Sequence, residues 1–164
     1  MYKRFYDKTS SWFEASKSRM KFVTVLHDLL PIIMYISYPL LLLSMFMYKN
    51  ELLLKAIIVP ASVFVGITLL RIIVNEKRPY EALDIVPLVS KSTKGRSFPS
   101  RHTASAFIIA MLFLRYQTDL GVMMCVISVL IGITRIITGV HYLRDVLSGA
   151  AISIIVGILF FFVF

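Results

Sequence analysis

Long runs of apolar residues, separated by short polar stretches, dominate the chain from residue 29 onward. A helix needs about 20 apolar residues to cross a bilayer, and five runs approach or exceed this length. The third and fourth runs have shorter uncharged cores, so we expect their ends to be buried in protein or open to water. The five predicted spans are residues 29–48, 52–74, 100–116, 120–134 and 141–164.

The connections between these spans differ greatly in length. Residues 49–51 and 117–119 allow only tight turns, whereas residues 76–99 form the only long loop. That loop is polar and basic, and its prolines interrupt any long helix. The pattern predicts an all-α integral membrane helical bundle with about five transmembrane helices, in a single domain over residues 1–164.

Residues 1–21 have a different pattern, with aromatic residues at helical spacing and most cations on the other side. Trp12 and the tyrosines are typical anchors of a helix at a membrane surface. We therefore predict an N-terminal interfacial amphipathic helix over residues 1–21, lying in the headgroup layer. The alternative is a solvated, partly ordered tail.

The composition agrees with a membrane protein and excludes other classes. Hydrophobic residues make up 58% of the 164 residues, which is too apolar for a soluble chain of this size. Six of the 18 lysines and arginines lie in residues 1–21, and seven lie between Arg71 and Arg101. This clustering fits topogenic signals or an anion site better than a nucleic-acid-binding face, so we expect no nucleic-acid partner. Cys125 is the only cysteine, which excludes an internal disulfide and a thiolate metal site.

Residues 98–102 read Phe-Pro-Ser-Arg-His and precede an apolar run. Pro99 suits the start of a helix, and Ser100 is a suitable cap. Free backbone N–H groups at a helix start, beside Arg101 and His102, predict an anion site, most naturally for phosphate. The alternative is a basic flank that only orients a membrane helix.

Alternation of the spans brings further polar residues to the same face as residues 100–102. Arg71 and Arg78 flank the exit of the second span, Arg135 closes the fourth, and His141 opens the fifth. Arginine within a membrane segment is costly, so Arg71 and Arg135 are candidates for a function.

His141 and Asp145 are four residues apart, so on a helix they share a face and the carboxylate can hold the imidazole in one tautomer. Three arginines, a helix start and two histidines suit phosphoryl transfer, in which positioning and charge neutralisation carry most of the catalysis. A metal site built from His27, His102 and His141 is an alternative, but the neighbouring arginines would repel a cation. We therefore predict no metal and no cofactor.

In order and spacing, three blocks resemble the type 2 phosphatidic acid phosphatase family, also called the lipid phosphatase and vanadium haloperoxidase superfamily. The family pattern is K-x6-RP, then PSGH, then SR-x5-H-x3-D. The blocks in this chain, which mark residues 71–145 as the catalytic region, are Arg71-x6-Arg78-Pro79, Pro99-Ser100-Arg101-His102 and Thr134-Arg135-x5-His141-x3-Asp145.

The resemblance implies a role for each matched residue. His141 would be the nucleophile that forms a phosphohistidine, Asp145 would orient it, and His102 would protonate the leaving oxygen. Backbone N–H groups at the start of the third span would help to bind the phosphate. The side chains that would bind its oxygens are Arg71, Arg78, Ser100 and Arg135.

Three positions depart from the family pattern. Arg71 replaces lysine, which keeps the charge but adds a planar fork. Thr134 replaces serine and keeps a hydroxyl. Arg101 replaces glycine, and it either points away or adds a cation for a second phosphate or a headgroup. We include Arg101 among the predicted phosphate-binding residues, with a bearing on substrate choice more than on the reaction.

The motifs predict an integral membrane enzyme that hydrolyses a phosphomonoester or a diphosphate on a lipid. The substrates implied by the resemblance are a polyprenyl diphosphate such as undecaprenyl diphosphate, a phosphatidylglycerol phosphate or phosphatidic acid, and the sequence does not choose among them. A non-catalytic lipid-phosphate binding or transport protein is the alternative. The sequence makes no prediction of the oligomeric state.

Five spans place the N-terminus and the predicted site on the same face of a cell membrane. The opposite face has only Lys49, Lys55 and Arg115, so the positive-inside rule places the site face in the cytoplasm. The resemblance implies the reverse, since many bacterial relatives have six spans and an active site that faces outward.

Overall fold

A computed structural model describes residues 2–91 and 93–164, and every regular element in these two ranges is helical. Met1 and Ser92, which belong to the predicted N-terminal helix and the long loop, lie outside the described residues. The predicted all-α class is confirmed. The elements are α1 (Tyr2–Glu14), α2 (Lys17–Met47), α3 (Leu53–Val74), α4 (Pro79–Ala82), α5 (Arg101–Tyr116), α6 (Thr118–Ile137) and α7 (Leu143–Ile158), which a π-helical turn (Leu159–Val163) extends.

Four helices, namely α2, α3, α6 and the extended α7, are long and apolar enough to cross a membrane. Together with α5 they correspond to the five predicted spans. α5 has only 16 residues, in agreement with the short core of the third span. It lies at the centre of the bundle, where it contacts α2, α3, α6 and α7. At its polar start Ser100 and Thr103 are buried, whereas Arg101 is exposed.

Small residues allow the other helices to approach α5 closely. A Cβ added to Gly149 of α7 would lie 2.6 Å from the carbonyl oxygen of Ser100, too close for any side chain. This contact brings the first turn of α7 beside the start of α5, where the N–H of Ser100 donates to the carbonyl oxygen of Asp145 at 2.9 Å. The packing of α7 on α5 thereby joins two of the sequence motifs.

The N-terminal helix is shorter than predicted. α1 ends at Glu14, and Ser16, with an extended backbone (φ −145°), precedes the start of α2 at Lys17. Residues 17–21 therefore form the first turns of α2 rather than the end of an interfacial helix. Hydrophobicity identifies only the part of a helix that contacts lipid, whereas the backbone hydrogen bonds of α2 continue beyond that part.

His141 does not lie on a helix, although the sequence predicted that it opens the fifth span. α7 begins at Leu143, and the chain turns between α6 and α7 at Gly139, whose φ of +76° is one that side-chain-bearing residues rarely adopt. The contact between His141 and Asp145 is made from this turn and not from a shared helix face.

α1 covers the turn between α6 and α7. The hydroxyl of Tyr6 donates to the carbonyl oxygen of Val86 at 2.6 Å, and that of Tyr2 donates to the carbonyl oxygen of Ile136 at 3.1 Å. Tyr6 is buried, and its ring packs against Gly139, where an added Cβ would lie 2.7 Å away. α1 thus lies at the end of the bundle that carries the motifs, as the crossing count predicted.

Two cations contact the C-terminal backbone at the opposite end of the bundle. Lys55 Nζ donates to the carbonyl oxygen of Phe164 at 2.7 Å, and Arg115 Nε donates to that of Phe161 at 2.9 Å. The last carbonyl groups of a helix lack helical partners, so these two contacts satisfy groups that would otherwise need water. Two of the three cations at the opposite end, Lys55 and Arg115, therefore have a structural role.

Candidate active site

A cavity of about 290 Å³ lies at the motif end of the bundle. It is strongly basic, and no carboxylate side chain is among the described residues that line it. Six of the predicted site residues line this cavity, whereas Ser100 and Asp145 lie behind its wall. The lining residues are Thr68, Arg71, Ile72, Arg78, Lys91, Thr93, Arg96, Arg101, His102, Arg135, Val140 and His141.

The Asp145 carboxylate is buried beneath His141 and held by several donors. Its Oδ2 accepts from Ser97 Oγ at 2.6 Å and from the N–H of Tyr142 at 3.1 Å, and it lies 3.4 Å from His141 Nδ1. Ser97 Oγ also lies 3.4 Å from His141 Nδ1. Because Nδ1 faces the carboxylate, Nε2 is the ring nitrogen left for the cavity. Asp145 and Ser97 therefore contact the imidazole on its Nδ1 side.

The charge state of His141 follows from its surroundings. Burial lowers its pKa to about 4; the nearby Arg78 and Arg71 act in the same direction, whereas Asp145 opposes them. The imidazole is therefore neutral at pH 7. A neutral imidazole with a lone pair facing a basic cavity is a nucleophile, whereas an imidazolium is not.

Arg71 and Arg78 are buried and held by backbone carbonyl groups of the long loop. Arg71 Nη1 donates to the carbonyl oxygens of Pro99, at 2.7 Å, and Ser97, at 3.2 Å. Arg78 Nε donates to that of Gly95 at 3.1 Å. These bonds fix both guanidinium groups at the cavity, so each is oriented before an anion binds.

Glu81 fastens this part of the loop to α4. Its carboxylate accepts from the N–H of Gly95 at 2.8 Å and from that of Arg78 at 2.9 Å. The loop between Gly95 and Ser100 is therefore fixed beside Arg78, and the backbone carbonyl groups that hold the arginines are fixed with it.

Arg135 is only 2% exposed and is held by His27, which the sequence analysis did not include among the predicted site residues. Arg135 Nη2 donates to the carbonyl oxygen of His27 at 2.9 Å, and Nη1 contacts its ring. Thr138 Oγ1 lies 3.2 Å from His27 Nδ1. Arg135 Nε is buried without a partner among the described residues.

Ser100 does not lie where the sequence predicted a phosphate-binding side chain. It stands just before α5, but its hydroxyl lies 3.0 Å from Thr103 Oγ1 and makes no capping bond to a backbone N–H. It is fully buried and does not line the cavity. The start of α5 contributes Arg101 and His102 to the cavity instead, and the part of Ser100 is to join α5 to α7.

Arg101, the residue in place of the family glycine, lines the cavity and is exposed. Its guanidinium carbon lies 5.2 Å from the centre of the Phe64 ring on α3. Phe64 also lines an apolar groove of about 500 Å³ between α2, α3 and α5. Arg101 therefore stands where the basic cavity meets an apolar surface.

Sequence reasoning missed several residues of the site. Lys91 and Arg96 were counted only as loop cations, although both line the cavity. Ser97 was missed because its role depends on a carboxylate 48 residues away. The sequence offered one signal for all three, their place in the basic loop just before the second motif. We call Arg71, Arg78 and Arg135 the inner arginines, and Lys91, Arg96 and Arg101 the outer cations.

The sequence profile of the PAP2 superfamily matches residues 50–164. The chain belongs to the PAP2 superfamily. Members of known structure have the same fold. Aquifex aeolicus LpxE superimposes with a TM-score of 0.72 and 31% identity, covering 88% of this chain and 86% of that one. A PAP2-type phosphatidylglycerolphosphate phosphatase from Bacillus subtilis superimposes with a TM-score of 0.70 and 25% identity, covering 88% and 75%.

Characterised PAP2 relatives include phosphatases with different lipid substrates. Undecaprenyl-diphosphatase BcrC of Bacillus subtilis (strain 168) is 30% identical over 135 residues, which are 77% of this chain and 67% of that protein. The lipid A 1-phosphatase of Porphyromonas gingivalis is 42% identical over 69 residues, which are 40% of this chain but only 16% of that protein. The predicted family is confirmed, as is the predicted class of activity, a multi-pass membrane phosphatase acting on lipid phosphates.

Proposed function

We propose that this PAP2 protein removes the terminal phosphate of a lipid phosphate or lipid diphosphate, with His141 as the nucleophile. The observation that carries the proposal is the placement of His141. Its Nδ1 lies beside Asp145, and its ring lines a basic cavity. Among the described residues, no carboxylate side chain lines this cavity. A negatively charged phosphate is the ligand that such a cavity favours.

The reaction would proceed in two displacements. His141 Nε2 attacks the phosphorus, the bond from phosphorus to the leaving oxygen breaks, and His102 donates a proton to that oxygen. The product of this step is a phosphohistidine. Water then attacks the same phosphorus and gives up a proton to His102, which releases orthophosphate and restores both histidines.

The inner arginines would stabilise the charge that develops on the phosphoryl oxygens. Each is oriented by protein acceptors, so little reorganisation is needed as the reaction proceeds. Their combined charge supplies what a divalent metal provides in other phosphoryl-transfer enzymes, and we therefore propose a metal-independent reaction. EDTA should leave the rate unchanged, and vanadate should inhibit. Loss of activity in EDTA that zinc or magnesium restores would contradict this part of the proposal.

The lipid chain would lie in the apolar groove between α2, α3 and α5. His102 lines the basic cavity and also a small gap beside Ser105, which in turn lines the groove. His102 and Ser105 therefore mark where the groove and the cavity come closest, and the path of a lipid headgroup to His141 would run past them. A polyprenyl diphosphate, a phosphatidylglycerol phosphate and phosphatidic acid each combine an apolar chain with a terminal phosphate as this path requires.

A phosphate-release screen with purified protein in detergent tests the proposal. Undecaprenyl diphosphate, phosphatidylglycerol phosphate and phosphatidic acid are the substrates, with His141→Ala as the blank. We expect orthophosphate from at least one of them and none from the variant. Binding without release for all three would instead favour a non-catalytic lipid-phosphate binding or transport protein.

We also propose that the protein lies in the cell membrane with its site on the cytoplasmic side, since the six cations of residues 1–21 lie on the same face as the cavity. Single cysteines at exposed positions test this in a Cys125→Ala background, with a membrane-impermeant thiol reagent on intact cells. Protection of Ser11→Cys and Thr93→Cys, with labelling of Glu51→Cys, supports the proposal. The reverse result places the site outside, and a split between residues 11 and 93 contradicts the span count.

A further inference from the structure

The cavity contains more positive charge than one phosphate needs. The three inner arginines line this cavity together with His141, and the three outer cations line it as well. Among the described residues, none of the outer cations forms a salt bridge or a side-chain hydrogen bond. Unpaired like charges around one cavity repel each other, and a second anion would remove this cost.

Arg101 indicates where the second anion would lie. Its guanidinium carbon is 5.2 Å from the centre of the Phe64 ring, and Phe64 lines the apolar groove. Arg101 thus stands between the nucleophile and the groove. A lipid diphosphate has its groups in the matching order, with the chain first, then the phosphate bonded to the chain, and then the terminal phosphate.

The other two outer cations come from a part of the loop that is fastened to α4. The N–H of Gly95, next to Arg96, donates to Glu81 at 2.8 Å. The hydroxyl of Tyr80 donates to the carbonyl oxygen of Thr93, two residues after Lys91. Lys91 and Arg96 are therefore held at the rim of the cavity by bonds to their neighbours, while their charged groups remain available.

Resting on the proposed function, we propose that Lys91, Arg96 and Arg101 form a second anion subsite, which binds the chain-bonded phosphate of a lipid diphosphate and makes this chain selective for diphosphates. When His141 Nε2 attacks the terminal phosphorus, the bond between this phosphorus and the bridging oxygen breaks. The electron pair stays on the bridging oxygen of the departing lipid monophosphate. His102 protonates that oxygen, the outer cations stabilise the remaining charge of the chain-bonded phosphate, and water then releases the terminal phosphate from His141.

Two substrates with the same chain test the selectivity, namely farnesyl diphosphate and farnesyl monophosphate in detergent micelles. Arg101→Gln should lower kcat/KM for the diphosphate on the order of tenfold more than kcat/KM for the monophosphate, the value of one charge-assisted hydrogen bond. Arg96→Gln and Lys91→Gln should also lower kcat/KM for the diphosphate more than for the monophosphate, but by a smaller factor. The matched control is Lys94→Gln, an exposed cation of the same loop that does not line the cavity. Equal losses on both substrates for Arg101→Gln would overturn the subsite.

A binding measurement separates failure of the subsite from failure of the proposed function. Methylenediphosphonate and methylphosphonate, neither of which is hydrolysed, are compared by the rise in melting temperature that they produce. The diphosphonate should stabilise the wild type more, and Arg101→Gln should remove this difference whereas Lys94→Gln keeps it. Equal stabilisation of the wild type by the two probes would overturn the subsite even in an active enzyme. The expected difference in a protein that releases no phosphate would uphold the subsite and refute the enzyme.

Discussion

The inner arginines and the outer cations line the same cavity, but the protein holds them differently. Arg71, Arg78 and Arg135 are buried, and each donates to backbone carbonyl groups. The outer cations are exposed and, within the described ranges, have no side-chain hydrogen bond. The inner arginines are therefore oriented by folding, whereas the outer cations are positioned mainly by their backbone.

This difference indicates two uses of positive charge. An oriented guanidinium can match the changing geometry of a phosphoryl group, because its ordering cost is met before the substrate arrives. An exposed cation attracts an anion and is partly screened by water and salt. We expect the inner arginines to govern the chemical step and the outer cations to govern which anion is selected.

The largest effect is expected at His141, the proposed nucleophile, which lines the cavity together with the inner arginines. His141→Ala should lower phosphate release by about 10⁴-fold or more, because no other group supplies the attacking nitrogen. Asp145→Asn should lower it on the order of 10³-fold, since the amide no longer holds the productive tautomer. Phosphate release is the measurement, and trapping of the phosphohistidine in rapidly quenched wild type is the direct check. Residual turnover by His141→Ala above one hundredth of wild type would refute this nucleophile.

The next largest effect is expected at Arg135. Arg135→Gln should lower kcat/KM for farnesyl monophosphate by about 10²- to 10³-fold. This is the usual cost of removing a preorganised hydrogen-bond donor from the oxygens on which negative charge develops in the transition state. Arg135→Lys should recover little, because an ammonium cannot bridge His27 and a phosphate as a guanidinium does. Arg96→Gln, an outer variant, should cost less than about tenfold on the same substrate. Similar losses for the inner and the outer variant would break the distinction between the two groups.

A smaller effect is expected at His27, which holds Arg135 from α2. His27→Ala should lower kcat/KM about tenfold by leaving the Arg135 guanidinium without its ring contact, and His27→Gln should restore part of the loss by supplying an acceptor. Melting temperature measured in parallel separates positioning from unfolding. A fall in kcat/KM that follows the melting temperature, with no recovery in His27→Gln, would indicate a purely structural role.

The smallest expected change is a shift in the titration of His141. Burial lowers its pKa to about 4, so its ring ¹⁵N signals should titrate well below the usual midpoint of about 6.5. Arg78 also lowers this pKa, so Arg78→Gln should raise the midpoint; Asp145 raises it, so Asp145→Asn should lower it. Arg101→Gln should leave it nearly unchanged. A midpoint near 6.5 in the wild type would mean that the imidazole is not desolvated as described.

Local pattern was sufficient to predict the helical elements and to bring six of the predicted site residues to one cavity. The apolar runs predicted the five spans, because a segment that crosses a bilayer needs a long apolar stretch; α5, with 16 residues, is shorter and lies at the centre of the bundle. Alternation of the spans then placed Arg71, His102, Arg135 and His141 at one end without any knowledge of packing. The boundaries were less certain, as the early start of α2 illustrates, because a helix can extend beyond its apolar part.

The sequence by itself determined the membrane bundle, the motif residues and the end at which they meet. Only the tertiary structure decided how those residues are used. His27 holds Arg135, which is 108 residues away in the chain, and Ser97 holds Asp145. Ser100 was predicted to bind phosphate but lies at the contact between α5 and α7 instead. Periodicity reports the face of a helix on which a side chain lies, but a hydrogen bond depends on distances of a few tenths of an ångström between elements. Those distances are set by the packing of the helices, including the close approach of α7 to α5 at Gly149.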